Sequence, residues 1–557
     1  MRLKRTVQVR LNSRKSSCLN NIIITCVFFL LFILTTHAEA GEWVYVVKAG
    51  DTLIDVSQTF LKAPNRWPQL QERNHVPIPE HLQPGTKIHI PVAWLKKMDS
   101  VAEVVRIQGK AKLIAKDSDV SSMLVAGAQV HVGDTIETER ESSLTLRFVD
   151  GSRLLVAENS KLTLNNLSLF GGTDMAQTVL FLHQGAVDTQ VSHQSGPAAK
   201  YEIRTPAINL AVKGTDFRAR VDSADNSTRS EVIGGRVVGI AKKGRVSLTA
   251  GYGTLALPGQ VPNPPKKLLS APDIGKLPVL LEKIPLRFKW QCDSLTHQYH
   301  AQIFTDRTFG QLLLDGVFKG CTAKWADLPD GKYVLRVREI DSDGLEGLNA
   351  EHDFVLKARP EAPFVTAPQD GKTVRGSNVS FEWTQPVNIQ KFHLQLSDSS
   401  GFTKLFIDLP EFTGNIYKAE LIPGKYFWRI ASLTDKGDMG PYSDVYSFTL
   451  KKMPETPSVA PPAIDEKQLN FSWKAGGDGD KYQIQMADDS TFKHVLADQI
   501  VTEPQVSIPR PNSGGTYFLR IKTIEADGFA GAYGPAQSFE VPGSFPWWLG
   551  LPLLLLF

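Results

Sequence analysis

A threefold repeat fills the second half of this 557-residue chain. Each copy begins with a run of the form F-x-W, whose tryptophans are Trp290, Trp383 and Trp473. A run of the form G-x-Y-x-x-R follows in each copy, and then a polar turn with glycine (DSDGLEG, DKGDMG and EADGFAG). Apolar and polar residues alternate in these runs, which is the pattern of half-buried β-strands. A period of about 90 residues therefore predicts three β-domains in series.

The repeat resembles immunoglobulin-like and fibronectin type III-like sandwiches, in which short strands bury a tryptophan of an early strand. The resemblance implies that the three tryptophans are core residues. We expect the copies to occupy residues 276–358, 359–453 and 454–542. Cys292 and Cys321 belong to the first copy alone, and they are candidates for a disulfide because the chain is predicted to be exported.

The N-terminal segment 1–40 has the layout of a secretory signal peptide. A basic stretch precedes an apolar run at 22–34, and Ala38-Glu39-Ala40 forms an A-x-A cleavage site. An uncleaved membrane anchor is the alternative, although the run is shorter than the ~20 residues that cross a bilayer. In both cases the rest of the chain is predicted to be exported to the periplasm or cell envelope. Removing segment 1–40 changes the formal charge from +4 to −1, which gives no support for nucleic-acid binding.

The sequence G-D-T followed by an aliphatic residue occurs twice, at 50–53 and at 133–136. Apolar residues after the first motif recur with the period of a helix, and those after the second alternate as in a strand. The residues after the first motif are Leu53, Val56 and Phe60. Those after the second motif are Leu144, Leu146 and Phe148. Thr52 and Asp55 also have the spacing of a helix capping box. The two motifs are therefore predicted to be unrelated, with a helix after one and a strand after the other.

The first motif is part of a longer pattern. A strand precedes it, two short helical stretches follow, and a proline-bearing loop leads into PGTKIHIP at 84–91. The pattern resembles the LysM family, and we assign residues 41–95 to such a domain. The resemblance implies binding to glycans that contain N-acetylglucosamine, chiefly peptidoglycan, in a shallow groove between two loops. The residues that it implies for glycan binding are Gly50, Asp51, Thr52, Leu53, Asn74, Ile78 and Pro79.

A purely structural role is the alternative for several of these residues. Helix capping alone explains the residue types of Asp51 and Thr52, and Leu53 fits a core position. Histidines lie nearby at 75, 81 and 89, but a metal site needs ligands fixed in suitable geometry, and we predict none.

Short β-branched runs punctuated by glycines continue from the second motif to about Pro258. The runs that resemble the FecR domain are GDTIET (133–138), LRFVDGSRLLV (146–156) and YEIRTPAINLAVKGTDFRARV (201–221). The resemblance implies an exported all-β domain, which we assign to 96–258, before a proline-rich linker at 259–275. Founding members of the family pass an iron-chelate signal to a cytoplasmic sigma factor. Only about 20 residues precede the apolar run here, which puts such regulation in doubt.

The chain ends in an apolar tail at 543–557. Its residues 545–557 would rise only about 20 Å as a helix, short of the ~30 Å hydrocarbon core of a bilayer. A shallow membrane contact with Trp547 and Trp548 at the interface, a processed sorting tail, and a segment buried on a partner are the alternatives.

No sequence motif for catalysis is present: the chain lacks H-E-x-x-H, G-x-S-x-G and a P-loop. Asp216 follows Gly214 and Thr215 but has no base at a fixed local distance, so these residues are interpreted as a turn and a strand start. We predict no catalytic residue and no cofactor.

The predicted fold class is a multi-domain, mainly β protein, with a small βααβ LysM unit, an all-β FecR-like domain and three β-sandwich repeats. The leading hypothesis is a non-catalytic envelope protein that binds peptidoglycan and presents its β-domains to other envelope proteins. The alternative is a FecR-like sensor or transducer of envelope signals, anchored in the inner membrane. A peptidoglycan hydrolase is a third hypothesis, which the absence of catalytic motifs disfavours.

Overall fold

The computed structural model describes residues 41–118, 120–292, 297–308 and 310–543. The predicted signal peptide or anchor at 1–40 and the apolar tail from 544 onward lie outside the described residues. The described chain is mainly β, as predicted. It divides into two compact units, and the boundary in the sequence falls between Lys357 and Ala358.

The first domain has the predicted order of strand, helix, helix and strand. Strand β1 (Glu42–Val46) pairs antiparallel with β2 (Lys87–Pro91), and helices α1 (Leu53–Phe60) and α2 (Trp67–Asn74) lie between them in sequence. Short 3₁₀ turns span Pro64–Arg66 and Val92–Trp94. The predicted apolar residues of α1 are buried, because the helical period places them on one face.

An all-β domain follows, and its strands pair in a closed circuit. Its longest strand, β12 (Ala176–Gln190), pairs antiparallel with β10 (Arg153–Val156), β11 (Lys161–Phe170) and β15 (Asp216–Val221). It also pairs parallel with β13 (Lys200–Arg204), so it belongs to both layers around the core. The strands are β3 (Lys97–Asp99), β4 (Ala102–Gln108), β5 (Ala111–Ile114), β6 (Ser121–Met123), β7 (Gln129–Val130), β8 (Thr135–Thr138), β9 (Ser143–Arg147), β10 (Arg153–Val156), β11 (Lys161–Phe170), β12 (Ala176–Gln190), β13 (Lys200–Arg204), β14 (Asn209–Val212), β15 (Asp216–Val221), β16 (Thr228–Gly234), β17 (Arg236–Ala241), β18 (Gly244–Thr249), β19 (Tyr252–Ala256) and β20 (Lys266–Lys267).

The first domain packs on this all-β domain through a shared apolar cluster. Phe170, Met175, Ala198 and Ala199 of the all-β domain are buried together with the core of the first domain. Gly172 lies so close to the ring of Phe60 that a β-carbon there would stand 2.5 Å from it. The two domains therefore share part of one hydrophobic core.

The first repeat completes the N-terminal unit. Its strands are β21 (Leu280–Leu281), β22 (Leu286–Lys289), β23 (Gln298–Phe304), β24 (Leu312–Lys319), β25 (Thr322–Trp325), β26 (Gly331–Ile340) and β27 (Ala350–Leu356). The larger sheet has the strand order β21-β27-β26-β23-β24, and β22 pairs with β25 in the smaller sheet. Cys292 and Cys321 form a disulfide with a Cα–Cα distance of 6.0 Å.

Buried charges join the all-β domain to the first repeat. Arg218 of β15 donates hydrogen bonds to the carbonyl oxygens of Glu346 and Gly347, at 2.9 and 2.8 Å. Glu346 also pairs with Arg338 and His300 of its own repeat. Burial lowers the pKa of His300, but the carboxylates of Glu346 and Asp315 raise it to about 9. The polar turn of the first repeat is thus held by arginines of the preceding domain, with its charges paired as burial requires.

The C-terminal unit contains the second and third repeats. In the second repeat the sheets have the orders β28-β30-β33 and β29-β36-β34-β31-β32, and in the third β37-β38-β41 and β40-β39-β42-β43. The strands are β28 (Val365–Ala367), β29 (Lys372–Arg375), β30 (Asn378–Trp383), β31 (Lys391–Ser397), β32 (Leu405–Thr413), β33 (Ile416–Glu420), β34 (Gly424–Leu433), β35 (Met439–Tyr442), β36 (Tyr446–Lys451), β37 (Ala463–Ile464), β38 (Gln468–Ser472), β39 (Lys481–Ala487), β40 (Val495–Val501), β41 (Gln505–Pro509), β42 (Gly515–Ile524) and β43 (Gln537–Val541).

The tyrosine of the G-x-Y-x-x-R run has one role in all three repeats. Its hydroxyl donates to the carbonyl oxygen four residues earlier: Tyr333 to Pro329, Tyr426 to Ile422 and Tyr517 to Ser513, at 2.7, 2.8 and 2.8 Å. This is the tyrosine corner of β-sandwich domains. The F-x-W tryptophans are buried in every repeat, so their interpretation as core residues is confirmed.

Candidate functional site

The first G-D-T motif forms a tight turn. Gly50 has a φ of 89°, a left-handed conformation that glycine adopts without strain, and the Asp51 N–H donates to the carbonyl oxygen of Lys48 at 3.2 Å. The Asp51 carboxylate accepts from the Lys48 N–H at 2.7 Å and from the Tyr45 hydroxyl at 2.6 Å. Burial, together with the hydrogen bond to Asp51, raises the pKa of Tyr45 to about 12. The side chain of Asp51 therefore stabilises the turn.

Thr52 and Leu53 connect this turn to the helix and to the second loop. The Thr52 hydroxyl accepts from the Asp55 N–H at 3.1 Å, which is the predicted N-cap of α1. Leu53 is fully buried, and its N–H donates to the carbonyl oxygen of Pro79 at 2.8 Å. That single hydrogen bond holds the two predicted glycan-binding loops side by side.

The structure places Asn74 at the end of α2, and the second loop that follows it carries one exposed apolar residue. The side-chain amide of Asn74 donates to the carbonyl oxygens of Leu70 and His89 and accepts from the His89 N–H, so it fastens α2 to β2. Ile78 is 51% exposed, and Pro79 beside it is half-buried.

The structure thus brings together six of the seven predicted residues. Leu53 of the turn is hydrogen-bonded to Pro79, the neighbour of Ile78, whereas the hydrogen-bonding groups of Asn74 are occupied elsewhere. Exposed backbone groups and an apolar surface form the combination that a sugar ring needs, since sugars present both hydroxyls and C–H faces. Sequence reasoning missed Tyr45, which positions Asp51; its inward place in the alternation of β1 was the available signal.

The second G-D-T motif repeats the turn without the groove. Gly133 has a φ of 95°, and the Asp134 N–H donates to the carbonyl oxygen of His131 at 3.2 Å. The Asp134 carboxylate is buried and accepts from the N–H groups of His131 and Lys116, at 2.8 and 3.1 Å. Strand β8 follows it, as the alternating pattern predicts.

The segment Gly214-Thr215-Asp216 also has a structural explanation. Gly214 has a φ of 81°, and the Thr215 hydroxyl donates to the carbonyl oxygen of Arg236 at 3.0 Å. Burial raises the pKa of Asp216. These residues form a turn and a strand start, as predicted.

The described residues contain no cluster of three or more histidine, cysteine or acidic side chains suited to a metal ion. Among the same residues, no helix is both long enough and apolar enough to span a bilayer.

Comparisons with known proteins identify two domains. The family model of the LysM domain matches residues 45–91, and the model of FecR protein matches residues 134–238. The chain therefore contains both domains, as the motifs predicted. LysM domains bind peptidoglycan and chitin-like glycans, and FecR belongs to an anti-sigma and signal-sensor family. Both are typical of cell-envelope proteins, and LysM, FecR and fibronectin-like domains are non-catalytic families.

A search of curated proteins finds no match. Among solved structures, the FN1–FN3 domains of chicken CNTN1 are 16% identical, with 46% of this chain and 93% of that chain covered and a TM-score of 0.22. The fibronectin(III)-like modules of Clostridium thermocellum CbhA are 13% identical, with 32% and 93% covered and a TM-score of 0.21. A candidate anti-sigma factor from Parabacteroides distasonis is 14% identical, with 24% and 59% covered and a TM-score of 0.21.

Proposed function

We propose that this is an exported cell-envelope protein that binds peptidoglycan through its LysM domain and presents its FecR and sandwich domains to protein partners. The observation that carries the proposal is the hydrogen bond from Leu53 to Pro79, which joins the two loops of the LysM domain beside the exposed Ile78. The predicted export signal supports the location.

The packing of the LysM domain on the FecR domain is compatible with this role. The FecR side contacts Phe60 and Gly41, and its Lys96 N–H donates to the carbonyl oxygen of Phe60 at 2.7 Å. Within the described ranges, no hydrogen bond or ion pair joins the FecR domain to residues 50–53 or 78–79. Gly50 and Ile78 are exposed, so these parts of the proposed groove are open to solvent while the rest of the LysM domain is held.

Retention on purified sacculi tests the proposal. We expect Ile78→Asp to lower retention of the chain about tenfold or more, because the exposed apolar contact is replaced by a charge. The matched control is Val44→Asp, which adds the same charge at another exposed apolar residue, 40% exposed, on β1. Equal retention of Ile78→Asp and the unmodified chain would contradict the assignment of the groove.

A sensor or transducer of envelope signals is the second candidate function, favoured by the FecR match at 134–238. Mass spectrometry of the mature N-terminus separates the two: cleavage before Gly41 supports the exported binding protein, and a retained segment 1–40 supports the anchored sensor. Neither function requires catalysis, so we expect no release of soluble muropeptides from sacculi incubated with the chain.

A further inference from the structure

Four neighbouring strands of the FecR domain present a strongly basic face. Strands β13, β14, β17 and β18 pair antiparallel in that order. Their register aligns Arg204, Asn209, Ile240 and Arg245 in one row across the sheet. Lys200 begins β13, Lys213 follows the last residue of β14, and Arg236 begins β17, so these three cations lie at the same end of the paired strands. The row between that row and these cations, Glu202, Ala211, Val238 and Ser247, points to the same side, because alternate residues of a strand share a face.

A concave space of about 590 Å³ opens on this face. Its floor contains Ala211 and Val238, and its rim carries the side chains of Lys200, Lys213 and Arg236. The volume is in the range of specific ligand sites, and the combination of an apolar floor with a few cationic groups is typical of them.

Two glycines shape one end of the space. Gly214 and Gly235 line it, and both have left-handed φ angles. A β-carbon at Gly235 would stand 2.7 Å from the carbonyl oxygen of Gly214, so a side chain there would displace the neighbouring turn. The close approach of these two turns keeps the end of the space free of side chains.

The face already binds one carboxylate of its own chain. Glu202 is buried and pairs with both Lys200 and Arg204. Burial raises the pKa of Glu202, but hydrogen bonds from these two side chains more than offset this and leave its pKa below the ordinary value. Lys213 and Arg236 are exposed, and within the described portion of the chain neither has a carboxylate at ion-pair distance. Two cations of the rim are therefore available to carboxylates from outside.

We propose that this basic groove binds an acidic, extended segment of a partner polypeptide. Carboxylates of the segment pair with Lys213 and Arg236, as Glu202 pairs with Lys200 and Arg204, and apolar side chains between them contact Val238 and the exposed Ile240. A polypeptide fits better than a polyanion without apolar groups, because a polyanion would leave this apolar surface uncovered. The inference rests on the protein-presenting part of the proposed function and is independent of glycan binding.

Fluorescence anisotropy with the full chain tests the groove, using a labelled peptide of alternating glutamate and valine. The test variant is the pair Lys213→Glu and Arg236→Glu. The control is the pair Lys242→Glu and Lys243→Glu, which makes the same charge change in the exposed hairpin between β17 and β18. We expect the test pair of substitutions to weaken peptide binding about tenfold or more, because it removes the direct ion pairs between the groove and the carboxylates of the peptide. The control pair should weaken binding about twofold or less, because Lys242 and Lys243 attract the peptide only at long range. The neutral pair Lys213→Ala and Arg236→Ala provides a second variant, expected to weaken binding in the same direction.

Three outcomes would overturn the proposal: no binding of the peptide at low salt, equal loss in the test and control pairs, or tighter binding of polyphosphate or anionic lipid vesicles than of the peptide. Retention on sacculi is measured on the same variants and is expected to be unchanged. A failure of sacculus binding alone would then contradict the LysM proposal and leave the groove proposal standing.

Discussion

The two G-D-T turns have the same local geometry and different surroundings. In both, a left-handed glycine allows the aspartate to bond the residue three positions earlier through its backbone N–H and its carboxylate. Asp51 is partly exposed and shares its carboxylate with Tyr45, whereas Asp134 is buried and bonds a second strand connection through Lys116. A short motif therefore specifies a turn, and the residues after it specify the element that the turn begins.

The largest expected difference comes from the aspartates. Asp134→Ala leaves the N–H groups of His131 and Lys116, whose hydrogen bonds are partly buried, without their acceptor, which should cost about 2 to 3 kcal/mol of unfolding free energy. Asp51→Ala exposes its donors to water and should cost about 1 kcal/mol. Local stability measured by hydrogen exchange around each turn checks both values, and equal losses would contradict the contrast.

The glycines should show a smaller difference. Alanine is strained at both positions by about 1 kcal/mol, because both φ angles are left-handed. A β-carbon at Gly133 would also stand 2.5 Å from the Lys116 side chain, whereas nothing lies within 4 Å of one at Gly50. Gly133→Ala should therefore lose more stability than Gly50→Ala in denaturant titrations of the two variants. The reverse order would mean that the space around the turns does not decide the cost.

The threonines should differ by less again. Thr52→Ala removes the N-cap of α1 and should cost about 1 kcal/mol. Thr135→Ala removes a cross-strand hydrogen bond to the Thr163 hydroxyl, of 2.8 Å, and should cost about 0.5 kcal/mol. Thr52→Ser, which keeps the capping oxygen, is the control. An equal loss of stability in Thr52→Ser would show that the methyl group of Thr52 matters more than its hydroxyl.

The smallest expected effect is on glycan binding. Asp134→Ala, studied at a temperature where it stays folded, should be retained on sacculi as well as the unmodified chain, because the second turn is not part of the proposed groove. Reduced retention would mean that the two turns are functionally connected.

The sequence was sufficient where a local pattern decides the structure. The periods after the two motifs distinguished a helix from a strand, and the spacing of the tryptophans revealed the repeats. Of the candidate site, the loops were predictable, but not the hydrogen bonds that occupy Asn74, because they depend on the approach of α2 to β2.

Long-range packing could not be predicted. Arg218 lies in a different domain from His300, Arg338 and Glu346, and charged residues are usually exposed, so nothing local marks the four as a buried cluster. The contact of Phe170 and Met175 with the LysM domain could not be predicted for a similar reason. An apolar residue in or beside a strand can be buried against either domain, and its sequence does not say which.

The shared core of the LysM and FecR domains has a consequence for the order of folding during synthesis. The LysM domain closes locally at residue 91, but the apolar residues that complete its burial, Ala198 and Ala199, follow about 100 residues later. Until they emerge, the surface around Phe60 is exposed, and such surfaces are prone to aggregate. The nascent chain therefore has an interval in which a chaperone that covers apolar surface would raise the yield of folded protein.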